Sequence, residues 1–186
     1  MFAAAAAEVL DRPIPADYRR DWTSRVSVAA PSASPADTAV VLFRIGAEWL
    51  ALDTGLVQEV TGSRPMHSLP HRHRDLVLGL ANVRGELVPC LALGRLMGLE
   101  HDVPAERLRT AHRHLVVLES GQGRLAFPAD EVAGVWRFSR REMRPLPGTV
   151  ARARRVFTRG ILEWRERAVG YLDSDAVLFH LERSLA

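Results

Sequence analysis

Seven histidines, one cysteine and a few close-set carboxylates are the residues of this 186-residue chain that could carry chemistry. Histidine recurs in two His-x-His pairs, His71/His73 and His112/His114. Residues two apart on a strand share a face, so each pair could offer two imidazoles to a metal. Both pairs alternate with arginine, in "PHRHRD" and "AHRHL", and a neighbouring guanidinium repels a cation. No metal site is expected from them. Asp130/Glu131 and Asp173/Asp175 stand in turn-like sequence, where carboxylates cap backbone N–H groups or face water. Cys90 has no intrachain partner for a disulfide and sits in an apolar strand pattern, the setting of an inert buried thiol. The chain holds no G-x-S-x-G, no phosphate-binding loop, no dinucleotide-binding glycine run and no H-E-x-x-H. These residues predict neither an enzyme nor a cofactor; they point to a binding module.

The stretch that could bind is "LGLANVRGELVPC", residues 78–90. An apolar run is broken by Asn82, Arg84, Gly85 and Glu86, then resumes with Leu87, Val88 and Cys90. Gly85 can supply the positive φ of a tight turn, and the Asn82 side chain can bond to nearby backbone. Arg84 is therefore expected at a strand end with its guanidinium exposed, not inside a core.

Composition bounds the elements that must hold this turn. Hydrophobic residues make up 47% and charged residues 25%, which is ordinary globular chemistry. No run approaches the roughly 20 apolar residues of a membrane span, so no direct membrane insertion is expected. "MFAAAAAEVLD" lacks the basic start of a signal peptide, and a cytoplasmic location is expected. All 25 basic residues are arginine, clustered in "SRRE" (139–142) and "ARARR" (151–155). Arginine suits bidentate contacts at interfaces, although nucleotide composition produces the same bias. An arginine-rich β-barrel that binds nucleic acid is the alternative reading, weakened by aromatics of only 6%, too few for base stacking.

Residues 1–38 read as an extension. Ala3 to Leu10 favours helix, Tyr18, Trp22 and Val26 recur every four residues, and "SVAAPSASPADT" is a linker. Residues 39–186 read as mainly β. "VVLFRI-GAE-WLALD" and "HLVVLE-SGQG-RLAFPAD" are two hairpins of one plan, and only "LALGRLMGLE" carries a short helix signal. The hairpins repeat. Ala51/Ala126, Val57/Val132 and Val60/Val135 each stand 75 positions apart. "GLANVRGELVPCL" aligns without a gap on "GILEWRERAVGYL", 81 positions on, matching Gly79 to Gly160 and Arg84 to Arg165. Duplicated small barrels account for both offsets, while two unrelated amphipathic hairpins could also align this well.

These motifs resemble the CheW-like domain of bacterial chemosensory arrays. The likeness runs from about Ala39 to Leu185 through "FRIGAEWLALD" with "LVQEV", "NVRGELVPCL", "HLVVLESGQGRLAFPADEVAGVWRF", "REMRPLP" and "TRGILEWRERAVGYLDSDAVL". The resemblance implies two packed five-stranded SH3-like β-barrels. It implies an adaptor that couples chemoreceptor signalling-tip helices to the regulatory domain of a CheA-type histidine kinase, at membrane-bound receptor arrays. Matched motif by motif, the receptor-facing groove would include Val57, Glu59, Gly79, Asn82, Arg84, Val132 and Val135; for each valine, core packing is the competing role. Two departures stand out: "FPAD", where Pro128 is expected to end its strand early, and Ala92, where the family carries an acidic residue. The alanine-rich start, with "EWLAL" and "HSLPHR", is similar to the WspD-type branch, which implies a surface-sensing pathway acting on cyclic-di-GMP. That branch commonly has a cysteine-rich stretch before the alanine-rich helix; here the chain starts at the helix, from loss of that piece or a start placed late.

Overall fold

The computed structural model describes residues 37–69, 76–100, 103–148 and 156–185. Residues 1–36 of the N-terminal extension, the His71/His73 pair and "ARARR" lie outside the described residues, while Asp37 and Thr38, read as the end of the linker, open a strand. Eleven strands are described: β1 (Asp37–Ile45), β2 (Glu48–Asp53), β3 (Val57–Gly62), β4 (Met66–His67), β5 (Val77–Val83), β6 (Glu86–Leu91), β7 (His114–Ser120), β8 (Gly123–Ala129), β9 (Glu131–Ser139), β10 (Thr158–Trp164) and β11 (Arg167–Leu172). Among the described residues there are also three α-helices, α1 (Leu93–Leu96), α2 (Ala105–Thr110) and α3 (Ser174–Arg183), and a 3-10 turn over Arg140–Glu142.

The strands form two sheets, ordered β10-β11-β2-β1-β9 and β3-β7-β8-β6-β5-β4. In the second sheet the chain leaving β3 turns through residues 63–65 into β4, which pairs β5 and so closes the sheet into a barrel. The first sheet closes in the same manner, because the chain leaving β9 reaches a bridge between Arg144 and Ile161 of β10. The expected pair of barrels is present, the second with a two-residue sixth strand.

The duplication is written into the pairing. β10 and β11 have the bounds of β5 and β6 displaced by 81, and both hairpins slip register at the same place, Val77/Gly79 and Thr158/Gly160. The parallel contacts also correspond, Cys90 with Ala126 and Tyr171 with Ala51. The copies are interleaved: each barrel takes its first hairpin from one copy and its remaining strands from the other. The first barrel thus joins β1 and β2 to β9, β10 and β11.

Interleaving explains the continuous apolar runs. Along β1–β2, Leu42, Trp49 and Ala51 fill the first barrel, while the alternate residues Phe43, Ile45, Leu50 and Leu52 face a shared core. Along β7–β8, Leu115, Val117 and Ala126 fill the second barrel, while Val116, Leu118, Leu125 and Phe127 meet that same shared core. Strands buried on both faces lose the alternation of polar and apolar residues. Phe43 and Phe127 meet across the shared core with ring centroids 5.1 Å apart.

Two local expectations are corrected. β8 continues through Pro128 to Ala129, with Pro128 paired to Leu115, so the proline does not end the strand early. The ten-residue helix α3 was not expected; Val177 and Leu181 seal the shared core from it. Its N-cap is Asp173, whose carboxylate accepts from the N–H groups of Asp175 and Ala176, as expected of a carboxylate in that turn.

Candidate functional site

The β5–β6 turn places Arg84 and Gly85 both in the left-handed region, with φ of 55° and 90°. That backbone matches the right-handed twist of the flanking strands. Asn82 fixes it, its Oδ1 accepting from the Gly85 N–H at 2.8 Å. The Arg84 side chain is 80% exposed, and its Nε lies 2.7 Å from Oε2 of Glu59 on β3. Glu59 is held deeper, 15% exposed, and its other oxygen takes Nη2 of Arg124 at 2.6 Å. Arg124 extends the chain of charges to Glu86, 2.9 Å away. Hydrogen bonds to Glu86 and Glu59 outweigh desolvation and hold the Arg124 guanidinium firmly charged.

The order Arg84–Glu59–Arg124–Glu86 has a consequence for binding. Arg124 and Glu59 form a sheltered, fixed pair, whereas Arg84 hangs at the solvent end of it. An exposed ion pair is worth about 0–1 kcal/mol, so Arg84 can exchange Glu59 for an incoming carboxylate at little cost. Gln58, Glu59, Arg84 and Arg124 line a shallow depression of about 270 Å³ beside the turn.

The other expected groove residues divide. Val57 lies on the same strand as Glu59 and packs, half-buried, against the shared core. Val132 does the same on β9, its duplicate position. Val135 is 67% exposed and Val60, its counterpart on β3, is partly exposed. The valines at 57 and 132 thus serve the core and the surface together. Gly79 is buried, at a φ of 145°, and a Cβ there would run into the carbonyl of His67 on β4. Packing of β4 over β5 accounts for that glycine. Arg124 and Glu86 were missed by sequence reasoning: Arg124 stands 65 positions from Glu59 and meets it only through the β3-β7-β8 order.

The remaining reactive groups are structural. Burial pushes the Cys90 thiol up to about 12, so it carries no nucleophilic thiolate near neutrality. His112 is buried, and desolvation holds its pKa below the usual imidazole value. Among the described residues no group of histidines, cysteines and carboxylates is placed to hold a metal ion.

Known proteins agree with this architecture. A chemotaxis protein CheW of Rhizobium meliloti is 26% identical over 148 residues, covering 79% of this chain and 91% of that protein. A probable chemotaxis protein CheW of Rhizobium etli is 26% identical over 161 residues, 87% of this chain and 100% of its own length. The crystal structure of the scaffolding protein TtCheW from Thermoanaerobacter tengcongensis superposes with a TM-score of 0.59 at 19% identity, over 73% of this chain and 88% of that one, which establishes the shared fold. The CheW-like domain model matches residues 39–182, the two interleaved barrels nearly from end to end, and the chain belongs to the CheW-like domain family.

Proposed function

We propose that this protein is a non-enzymatic coupling adaptor, which docks the helical signalling tip of a chemoreceptor and presents it to a CheA-type histidine kinase. The observation that carries the reading is Arg84: an exposed guanidinium on a left-handed turn, paired with Glu59, which shares its strand with the half-buried Val57. An amphipathic helix would set apolar side chains against the valines and a carboxylate on Arg84. Val132 and Val135 would extend the apolar contact from the duplicate strand. The names of the two rhizobial relatives, both chemotaxis proteins, support the same role. No described helix is long and apolar enough to cross a membrane, and the adaptor would reach membrane-bound arrays through its receptor.

The test is receptor-tip binding by an Arg84→Glu variant that keeps the wild-type melting temperature. Loss of affinity of tenfold or more is expected, because the variant sets a carboxylate against the partner's carboxylate and leaves Glu59 without its outer cation. Unchanged affinity would remove Arg84 from the interface.

The alanine-rich start and "HSLPHR" support a finer assignment, to a surface-sensing array of the Wsp kind that governs cyclic-di-GMP. Deletion of the protein should then abolish the rise of cyclic-di-GMP on surface contact while swimming bias stays intact. Loss of swimming bias with normal cyclic-di-GMP would assign it to a flagellar array instead.

A further inference from the structure

Arg165 holds in the β10–β11 turn the place that Arg84 holds in β5–β6, and its backbone is left-handed in the same way, φ 49°. The surroundings differ in charge. The repeat offsets carry Glu59 to Gly134, Glu86 to Arg167, Arg124 to Trp49 and Val83 to Trp164. Both carboxylates of the first network are replaced, one by glycine and one by another arginine, and its central arginine by an indole. The result is a pair of tilted indoles with a guanidinium over each. The Arg165 guanidinium lies over the Trp164 ring, 4.8 Å from its centroid, and the Arg167 guanidinium over Trp49 at 5.5 Å. The two indoles are 5.1 Å apart, Trp49 buried in the barrel and Trp164 half-buried at its end. Arg165 and Arg167 are exposed, and neither is ion-paired to a described residue.

We propose that this cluster is a second docking site, one that takes the carboxylates of an acidic segment of a partner protein. A guanidinium held over an indole yet exposed to solvent keeps N–H groups free to grip a carboxylate with two bonds. The ring beneath also fixes the long side chain before binding, and so reduces the entropy lost on association. The turn itself carries strain: Glu166 adopts a left-handed φ of 62° where the first copy has Gly85. Glu166 and Glu163 also decide the class of partner. Glu163 is engaged with Arg144 at 2.9 Å, and a nucleic-acid backbone would crowd its phosphates against both glutamates. A peptide can set uncharged residues opposite the two glutamates, which a backbone charged at every nucleotide cannot. This site is separate from the Arg84 surface, and each is tested by its own variant.

The probe is a fluorescein-labelled 18-residue peptide of glutamate, serine and glycine, which has no apolar face to set against Val57, Val132 and Val135, titrated into the full chain at low salt. Anisotropy should report binding that falls at least tenfold in the Arg165→Glu/Arg167→Glu double variant and less than twofold in Arg84→Glu. Tryptophan emission of the wild type should shift as the peptide saturates. Should the double variant lose the wild-type circular dichroism, Arg165→Gln/Arg167→Gln, which keeps the stems and removes the charge, decides in its place, with the same tenfold expectation. Failure of the wild type to bind overturns the proposal, as does an equal loss in Arg84→Glu. So does equal affinity for a labelled oligothymidine or for anionic vesicles, which would make the cluster a general anion contact. Receptor-tip binding by Arg165→Glu/Arg167→Glu at wild-type affinity keeps the Arg84 reading intact whatever the peptide does.

Discussion

Arg84 and Gly79 lie five residues apart on one hairpin and answer to different forces. Arg84 is set by turn chemistry, which sequence expresses locally: an asparagine that bonds two residues past Val83, then a glycine that accepts positive φ. Its exposure was legible for that reason. Gly79 is set by a neighbour twelve positions earlier, the backbone of His67, and nothing in the surrounding residues announces that approach. Gly79→Ala must adopt an unfavourable φ and push β4 away, so it should lower unfolding free energy by about 1–3 kcal/mol, read from urea midpoints. Gly160, the duplicate position, lacks the positive φ and meets the flexible Met143 side chain and the Arg144 carbonyl, so Gly160→Ala should be destabilising by less, about 1 kcal/mol. A wild-type midpoint for Gly79→Ala would return that glycine to the docking surface as its main role.

Elements were legible where one period ran through them. The β1–β2 and β7–β8 hairpins announced themselves by length and glycine turns, and the 81-position repeat foretold the bounds of β10 and β11 from those of β5 and β6. Helix α3 did not, because only Val177 and Leu181 are buried along it and its start depends on a cap. That cap is Asp173, gripped by Arg159 through contacts of 2.9 and 3.1 Å. The Arg159 hydrogen bonds, more than the helix N–H groups, hold the Asp173 carboxyl below its usual pKa. A carboxyl depressed in the folded state stabilises above its unfolded pKa, about 3.9, and that contribution is lost as pH falls through the folded value. Asp173→Ala should therefore cost about 1 kcal/mol at pH 7. The gap between variant and wild type should narrow below about pH 4, in urea titrations at both pH values. A gap that widens on acidification would assign the cap's effect to packing instead of charge.

At the scale of the molecule, the interleaving of the two copies was the feature sequence could not express, since an offset shows which strands are equivalent and not which ones pair. Val57 and Val132 match by 75 positions yet belong to different barrels, and Trp49 and Trp164 come from different copies yet share one barrel. No cut between copies leaves a complete barrel: a break between β6 and β7 strips β1 and β2 of the strands on either side of them. The shared core adds to this, since Phe43 and Phe127 bury each other. The barrels should accordingly unfold in one transition, and the chain carries a probe for each. Trp49, Trp136 and Trp164 all sit in the first barrel, while Cys90 is fully buried in the second, its thiol silent until that barrel opens. Urea titration followed by tryptophan emission and by pulsed labelling of Cys90 should give midpoints that coincide. Midpoints separated by more than about 0.5 M would show the barrels parting independently, and would mean that the hairpin exchange links the two copies without making them one cooperative unit.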